Sequence, residues 1–172
     1  GVIFGVTGGV MEAALRTAVH KLSKDKTDGQ VEFTEVRNSQ GIKEVSVNVD
    51  GLEINLCIAN GLQNAKIVMD KIRAGEAKWH LVEIMACPGG CIAGGGQPMA
   101  DVDKEVYPLD PEIISKRVNA IYGIDERMVI RKSHENPSII KLYEEFLGEV
   151  GGHKSHELLH THYTPRLPKG IN

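Results

Sequence analysis

The sequence predicts an α/β fold, a mixed sheet with flanking helices followed by a helical C-terminal extension. Three observations predict it. Apolar residues recur at helical spacing after Gly8-Gly9 and again from Leu62 to Ile72, alternating apolar residues flank Asp50-Gly51, and only helical patterns follow Pro111.

Gly8-Gly9 lead into Met11, Ala14, Leu15, Ala18 and Leu22, one apolar helix face that should end between Ser23 and Lys26. Val31 to Arg37 reads as a short strand. Val45, Val47 and Val49 alternate with polar residues, Asp50-Gly51 supply a tight turn, and Leu52, Ile54, Leu56 and Ile58 alternate again, which makes a β-hairpin. Gly61 to Ala74 carries Leu62, Ala65, Ile67, Met69 and Ile72 among Lys and Asp, a second amphipathic helix stopped before Gly75. His80 to Met85 reads as a buried strand that delivers the chain into a cysteine pair. Helices are expected from about Pro111 to Arg127 and from Pro137 to Leu147, with a frayed end from Tyr163 to Asn172.

Bulk properties exclude several functions. Lys and Arg (20) nearly balance Asp and Glu (23) and are scattered among them, so no basic face predicts a nucleic-acid partner. No apolar run approaches the ~20 residues that cross a bilayer, and the N-terminus lacks a secretory pattern, so a cytoplasmic protein without membrane contact is expected. Three cysteines are too few and too odd in number for a disulfide framework, which favours metal binding or redox chemistry for the close pair. Position 1 is Gly, and Gly1-Val2-Ile3-Phe4-Gly5 reads as mid-sequence, so a fragment or processed product is expected.

Cys87 and Cys91 are separated by three residues, and Cys87 to Pro98 holds five glycines and two prolines. So little side-chain bulk suits backbone that lies against a cofactor. Iron-sulfur clusters are held by thiolates, and glycine brings backbone N–H groups close to their sulfides. Structural zinc would call for a second matching pair, which the sequence lacks. His156-Glu157-Leu158-Leu159-His160 fits a zinc-protease pattern, but no third ligand follows at the usual spacing, and docking of the tail is the better reading. Gly5, Gly8 and Gly9 precede a helix as in phosphate cradles, yet their spacing matches neither nucleotide fingerprint. Cys57 lies in an alternating strand and reads as a small core residue, and His20 and His80 as surface or packing residues.

The run Glu83-Ile84-Met85-Ala86-Cys87-Pro88-Gly89-Gly90-Cys91, continued to Gly94-Gly95-Gly96-Gln97-Pro98, resembles the third signature motif of FeFe (iron-only) hydrogenases. Phe4-Gly5-Val6-Thr7-Gly8-Gly9-Val10-Met11-Glu12-Ala13-Ala14-Leu15-Arg16 resembles the segment that precedes that motif. Arg131-Lys132-Ser133-His134-Glu135-Asn136 and Ser155-His156-Glu157-Leu158-Leu159-His160 resemble the family's C-terminal region, a separate small subunit in some members.

The resemblance implies residues 1–107 as the C-terminal lobe of the large-subunit domain and 108–172 as a small-subunit-like helical tail. It implies reversible reduction of protons to dihydrogen at an H-cluster, a 4Fe-4S cubane joined to a di-iron subsite. Cys87 would ligate the cubane, and Cys91 would ligate it and bridge to the di-iron unit. Met85 and Phe4 would pack around that unit, and Gly5 would admit close backbone approach. Two more cubane ligands and the proton-shuttling cysteine lie upstream in the family and are absent here, so the chain alone should be inactive. Electrons would come from ferredoxin or a diaphorase-type subunit. The alternative is a hydrogenase-like iron-sulfur assembly protein, which holds ordinary clusters and makes no hydrogen.

Overall fold

The computed structural model describes residues 1–23, 32–37, 41–98 and 109–165. They fall into two compact units divided between Ser133 and His134. The expected boundary at 107 and 108 lies outside the described residues.

The first unit is built on a three-stranded sheet of order β1-β2-β3, with β1 (Ile42–Val49) antiparallel to β2 (Leu52–Asn60) and β3 (Leu81–Met85) parallel to β2. The hairpin forms as expected: Asp50 and Gly51 have φ of 51° and 90°, the left-handed pair that a two-residue turn needs to match strand twist. The central strand β2 is buried on both faces. Leu56 and Ile58 pack with Met11, Leu15 and Val19 of helix α1 (Gly9–Leu22), while Cys57 and Ala59 pack with Val68 of helix α2 (Leu62–Arg73). Burial raises the Cys57 thiol pKa, as suits a core residue.

The strand expected over Val31–Arg37 is corrected: Val31 lies outside the described residues, and Thr34–Val36 form a 3-10 turn. Phe33 and Val36 are both buried beneath α1. Residues three apart share a face of a tight helical turn but point to opposite faces of a strand, so covering one side of α1 selects the turn. Helix α1 stops at Leu22 with Ser23 extended, while Lys24–Lys26 are outside the described residues.

Helix α3 (Pro111–Glu126) begins as the sequence requires, with Asp110 accepting from the Glu112 and Ile113 amides (2.9 and 3.3 Å) and Pro111 in the first turn. It packs Ile114 and Val118 against Val6, Ile92 and Ala93. A buried ionic network also joins α3 to α1. Glu12 accepts from Arg16 (2.9 Å) and Arg37 (2.6 and 2.7 Å), Arg16 donates twice to Asp125 (3.0 and 2.8 Å), and Arg131 donates to Asp125 (3.0 and 2.8 Å). Glu32 bridges Arg37 and Arg131, and the Arg37 guanidinium lies 4.0 Å from the Tyr122 ring centre.

The second unit holds helices α4 (Pro137–Leu142), capped by Asn136, and α5 (His153–Leu159). Between them Tyr143–Leu147 form a wide turn closed by Gly148 N–H donating to the Tyr143 carbonyl at 2.7 Å. Ser155 is buried, its hydroxyl donating to the Glu149 and Gly152 carbonyls at 2.9 and 3.0 Å. The sequence read Pro137 to Leu147 as one helix, and the helical path does run through Leu147, changing its winding after Leu142.

Candidate metal centre

Strand β3 delivers Met85 and then Cys87 to the end of the sheet, and Cys91 opens a 3-10 turn, Cys91–Ala93. Three backbone features fix the loop between the cysteines. The Gly90 amide donates to the Cys87 carbonyl at 3.0 Å, the Thr7 amide donates to the Gly89 carbonyl at 3.0 Å, and Gly90 adopts φ of 95°. A Cβ at Gly90 would lie 2.6 Å from the Gly5 carbonyl oxygen, 2.8 Å from the Thr7 nitrogen and 3.0 Å from the Met85 sulfur. Glycine is required there twice over, by the left-handed backbone and by the approach of a second chain segment.

That second segment is Phe4–Gly9, which runs from the end of a 3-10 turn (Val2–Gly5) into the start of α1, so the structure brings Gly5, Met85 and the cysteine loop together. Gly5 has Ile92 near its Cα, Met85 is half-buried, and the Phe4 ring is 44% exposed. The Cys91 thiol is exposed, the Cys87 thiol half-buried, and both are free. A Cβ at Gly94 would sit 3.6 Å from the Cys87 sulfur, whereas Gly95 and Gly96 face open space. From the other side Arg117 of α3 donates to the Ile92 carbonyl (2.8 Å) and the Pro98 carbonyl (2.7 Å), clasping the loop that follows Cys91.

The residues fit half of an iron-sulfur site. Cluster cubanes take four thiolates. Two accessible thiols stand on one glycine-rich loop, and among the described residues no group of three or more His, Cys, Asp or Glu is disposed to hold a metal. Thr7, whose backbone nitrogen packs on Gly90, adds a second sign of fit: among the described residues its buried hydroxyl has no hydrogen-bond partner, and buried polar groups ordinarily have one. The His156 and His160 rings instead pack edge to face, centroids 4.1 Å apart, and α5 ends at Leu159 before His160.

Glu83 is the residue that sequence reasoning passed over. Its carboxylate, 8% exposed, accepts from the Gly8 amide at 2.6 Å and the Met11 amide at 2.7 Å. Burial pushes its pKa above the ordinary glutamate value, and the two amide bonds act against that rise. Two signals could have found it: a charged residue inside an otherwise apolar strand, and a helix whose start, Gly8-Gly9, offers no capping side chain.

Comparison with known proteins matches two stretches of the chain. Residues 1–95 match the iron only hydrogenase large subunit, C-terminal domain, and residues 111–166 match the iron hydrogenase small subunit. The chain is 48% identical over 164 residues to a subunit of the NADP-reducing hydrogenase of Solidesulfovibrio fructosivorans, covering 95% of this chain and 26% of the relative. A solved FeFe hydrogenase structure from Chlamydomonas reinhardtii superposes with a TM-score of 0.65 at 43% identity, over 93% of this chain and 45% of the other. A probable cytosolic Fe-S cluster assembly factor of Drosophila ananassae matches at 33% identity, over 91% of this chain and 31% of the relative. The chain thus spans about a quarter to a third of the length of the curated relatives it matches.

Proposed function

The chain belongs to the iron-only hydrogenases, and from that premise we propose that it forms the part of such an enzyme that holds one side of the H-cluster for reversible reduction of protons to dihydrogen. The observation that carries the proposal is the clamped loop: two accessible thiols four residues apart, on backbone held against Gly5 and Thr7 by Gly90. Cys87 is assigned to the 4Fe-4S cubane, and Cys91 to the cubane and its link to the di-iron subsite. The Met85 thioether and the Phe4 ring give that side an apolar lining that competes poorly for metal, and Gly5 keeps it open. When bound, the cluster supplies electrons and an open metal position for protons. The remaining ligands come from outside the described residues, so the chain by itself is inactive.

The 48% identity to a subunit of an NADP-reducing hydrogenase supports an electron partner of the nicotinamide-linked, diaphorase type over ferredoxin. A cytoplasmic location accords with such a partner, and among the described residues no helix is long and apolar enough to cross a membrane. Infrared spectroscopy of the matured parent enzyme tests the proposal. Bands of CO and cyanide should be present and should vanish, together with hydrogen evolution, in the Cys91→Ala variant. Ordinary cluster absorbance without those bands would instead select the iron-sulfur assembly reading.

A further inference from the structure

We infer that Glu83 is a positioning residue for the candidate metal centre: its carboxylate locks the segment Phe4–Gly9 to the strand that carries Met85 and leads into Cys87, and so sets how the two cysteines are presented. The inference deepens the proposed function and rests on it only for what the two loops hold.

The case begins at Gly8. This residue cannot carry a capping side chain, because a Cβ would fall 1.7 Å from the Val36 carbonyl oxygen, and its φ is 86°. Helix α1 therefore starts without a local cap, although its first amides need acceptors. Glu83, 75 residues away in sequence, provides one carboxylate oxygen to Gly8 and the other to Met11. Among the described residues no cation pairs with Glu83, so its charge is met by two charge-assisted bonds and the positive end of α1.

The position of these bonds gives them a role beyond capping. On one side Glu83 shares β3 with Met85, two residues on, and Cys87 follows in the bend just past the strand's end. On the other, Gly8 directly follows Thr7, whose amide bonds to Gly89 and whose nitrogen limits the room at Gly90. Glu83 and the Thr7–Gly89 bond are thus two rungs between the same pair of segments, one at the sheet and one inside the cysteine loop. Losing the first leaves the loop hinged on the second.

Site-selective thiol labelling of the 172-residue chain tests this, with buried Cys57 as an internal reference. In Glu83→Gln one acceptor becomes an N–H facing an N–H, and Glu83→Asp keeps the charge on a shorter arm. Glu83→Gln should change the labelling rate of Cys87 or Cys91 about fivefold or more while Cys57 keeps its wild-type rate, and Glu83→Asp should restore part of the original pattern. Val68→Ala, in the cluster that covers Cys57, should accelerate Cys57 alone. Unchanged rates at Cys87 and Cys91, or equal acceleration of all three thiols in a variant with wild-type circular dichroism, would overturn the inference. If Glu83→Gln fails to fold, the same criteria decide on Glu83→Asp. The readout needs no iron, so it succeeds or fails independently of the infrared test.

Discussion

At its first turn α1 is held by one carboxylate with no cation beside it among the described residues, whereas one turn along, Glu12 and Arg16 enter a network of three arginines and three carboxylates. Both arrangements fasten distant segments to the same helix. The network joins α1 to α3 and Arg131 through side chains of opposite charge, each satisfying several others. The cysteine loop is joined to the segment just before α1 through backbone, the Thr7 amide donating to the Gly89 carbonyl, and what specifies it is the absence of a side chain at Gly90. Side-chain networks can be weakened by degrees. Backbone contacts at carbon–oxygen distances that forbid a methyl group are either made or lost.

Breaking the network should have the largest effect on stability. Asp125→Ala leaves Arg16, 1% exposed, without its bidentate partner, and removing one member of a buried pair typically destabilises by about 3–5 kcal/mol. Urea denaturation should show this loss. Gly90→Ala should cost less stability, about 1–3 kcal/mol for a strained left-handed position, yet should lower iron retention by the matured parent enzyme more than Asp125→Ala does. Iron content per folded protein would reveal it, and the reverse order would collapse the contrast.

The two regions also differ in the sign of their response to pH. Burial alone would raise the Asp125 pKa, but its bonds to Arg16 and Arg131 hold it below the ordinary aspartate value. Its stabilisation is therefore complete above the unfolded-state pKa and lost as pH falls toward the lowered value. Glu83, raised chiefly by burial, runs oppositely: the ionised carboxylate keeps its two amide bonds but carries the desolvation cost of its charge, so this pH-dependent part of stability is greatest below the unfolded-state pKa and is lost as pH rises through the raised value. Denaturation midpoints from about pH 3 to pH 7 should fall in acid for the wild type. Asp125→Asn should flatten that fall, and Glu83→Gln should steepen it. The smallest effect is expected at Gly95, where the backbone is exposed and a methyl group meets nothing within 4 Å. Gly95→Ala should change stability by less than about 0.5 kcal/mol and leave iron content unaltered, which separates glycines that pack from glycines that merely neighbour the cysteines.

Local signals made most elements legible. The Asp50-Gly51 hairpin, α2 ahead of Gly75, and the Asp110-Pro111 start of α3 each carry their cause within a few residues. Thr34–Val36 misled because β-branched residues favour strands in isolation, and only the need to place Phe33 and Val36 together under α1 selects a turn. The placement of Cys87 and Cys91 on one glycine-rich loop was likewise legible, and the motif running from Glu83 to Pro98 made the family legible.

The sequence by itself determined the class of fold, the elements with short-range causes and the family, because propensity, turn chemistry and motif spacing act over a few residues. Tertiary structure alone decided which glycines are indispensable, that Glu83 caps a helix 75 residues away, and that Arg117 and Asp125 tie α3 to the cysteine loop and to α1. Those roles arise from distances between segments remote in sequence, and a glycine or a glutamate carries no local mark of the neighbour it will meet.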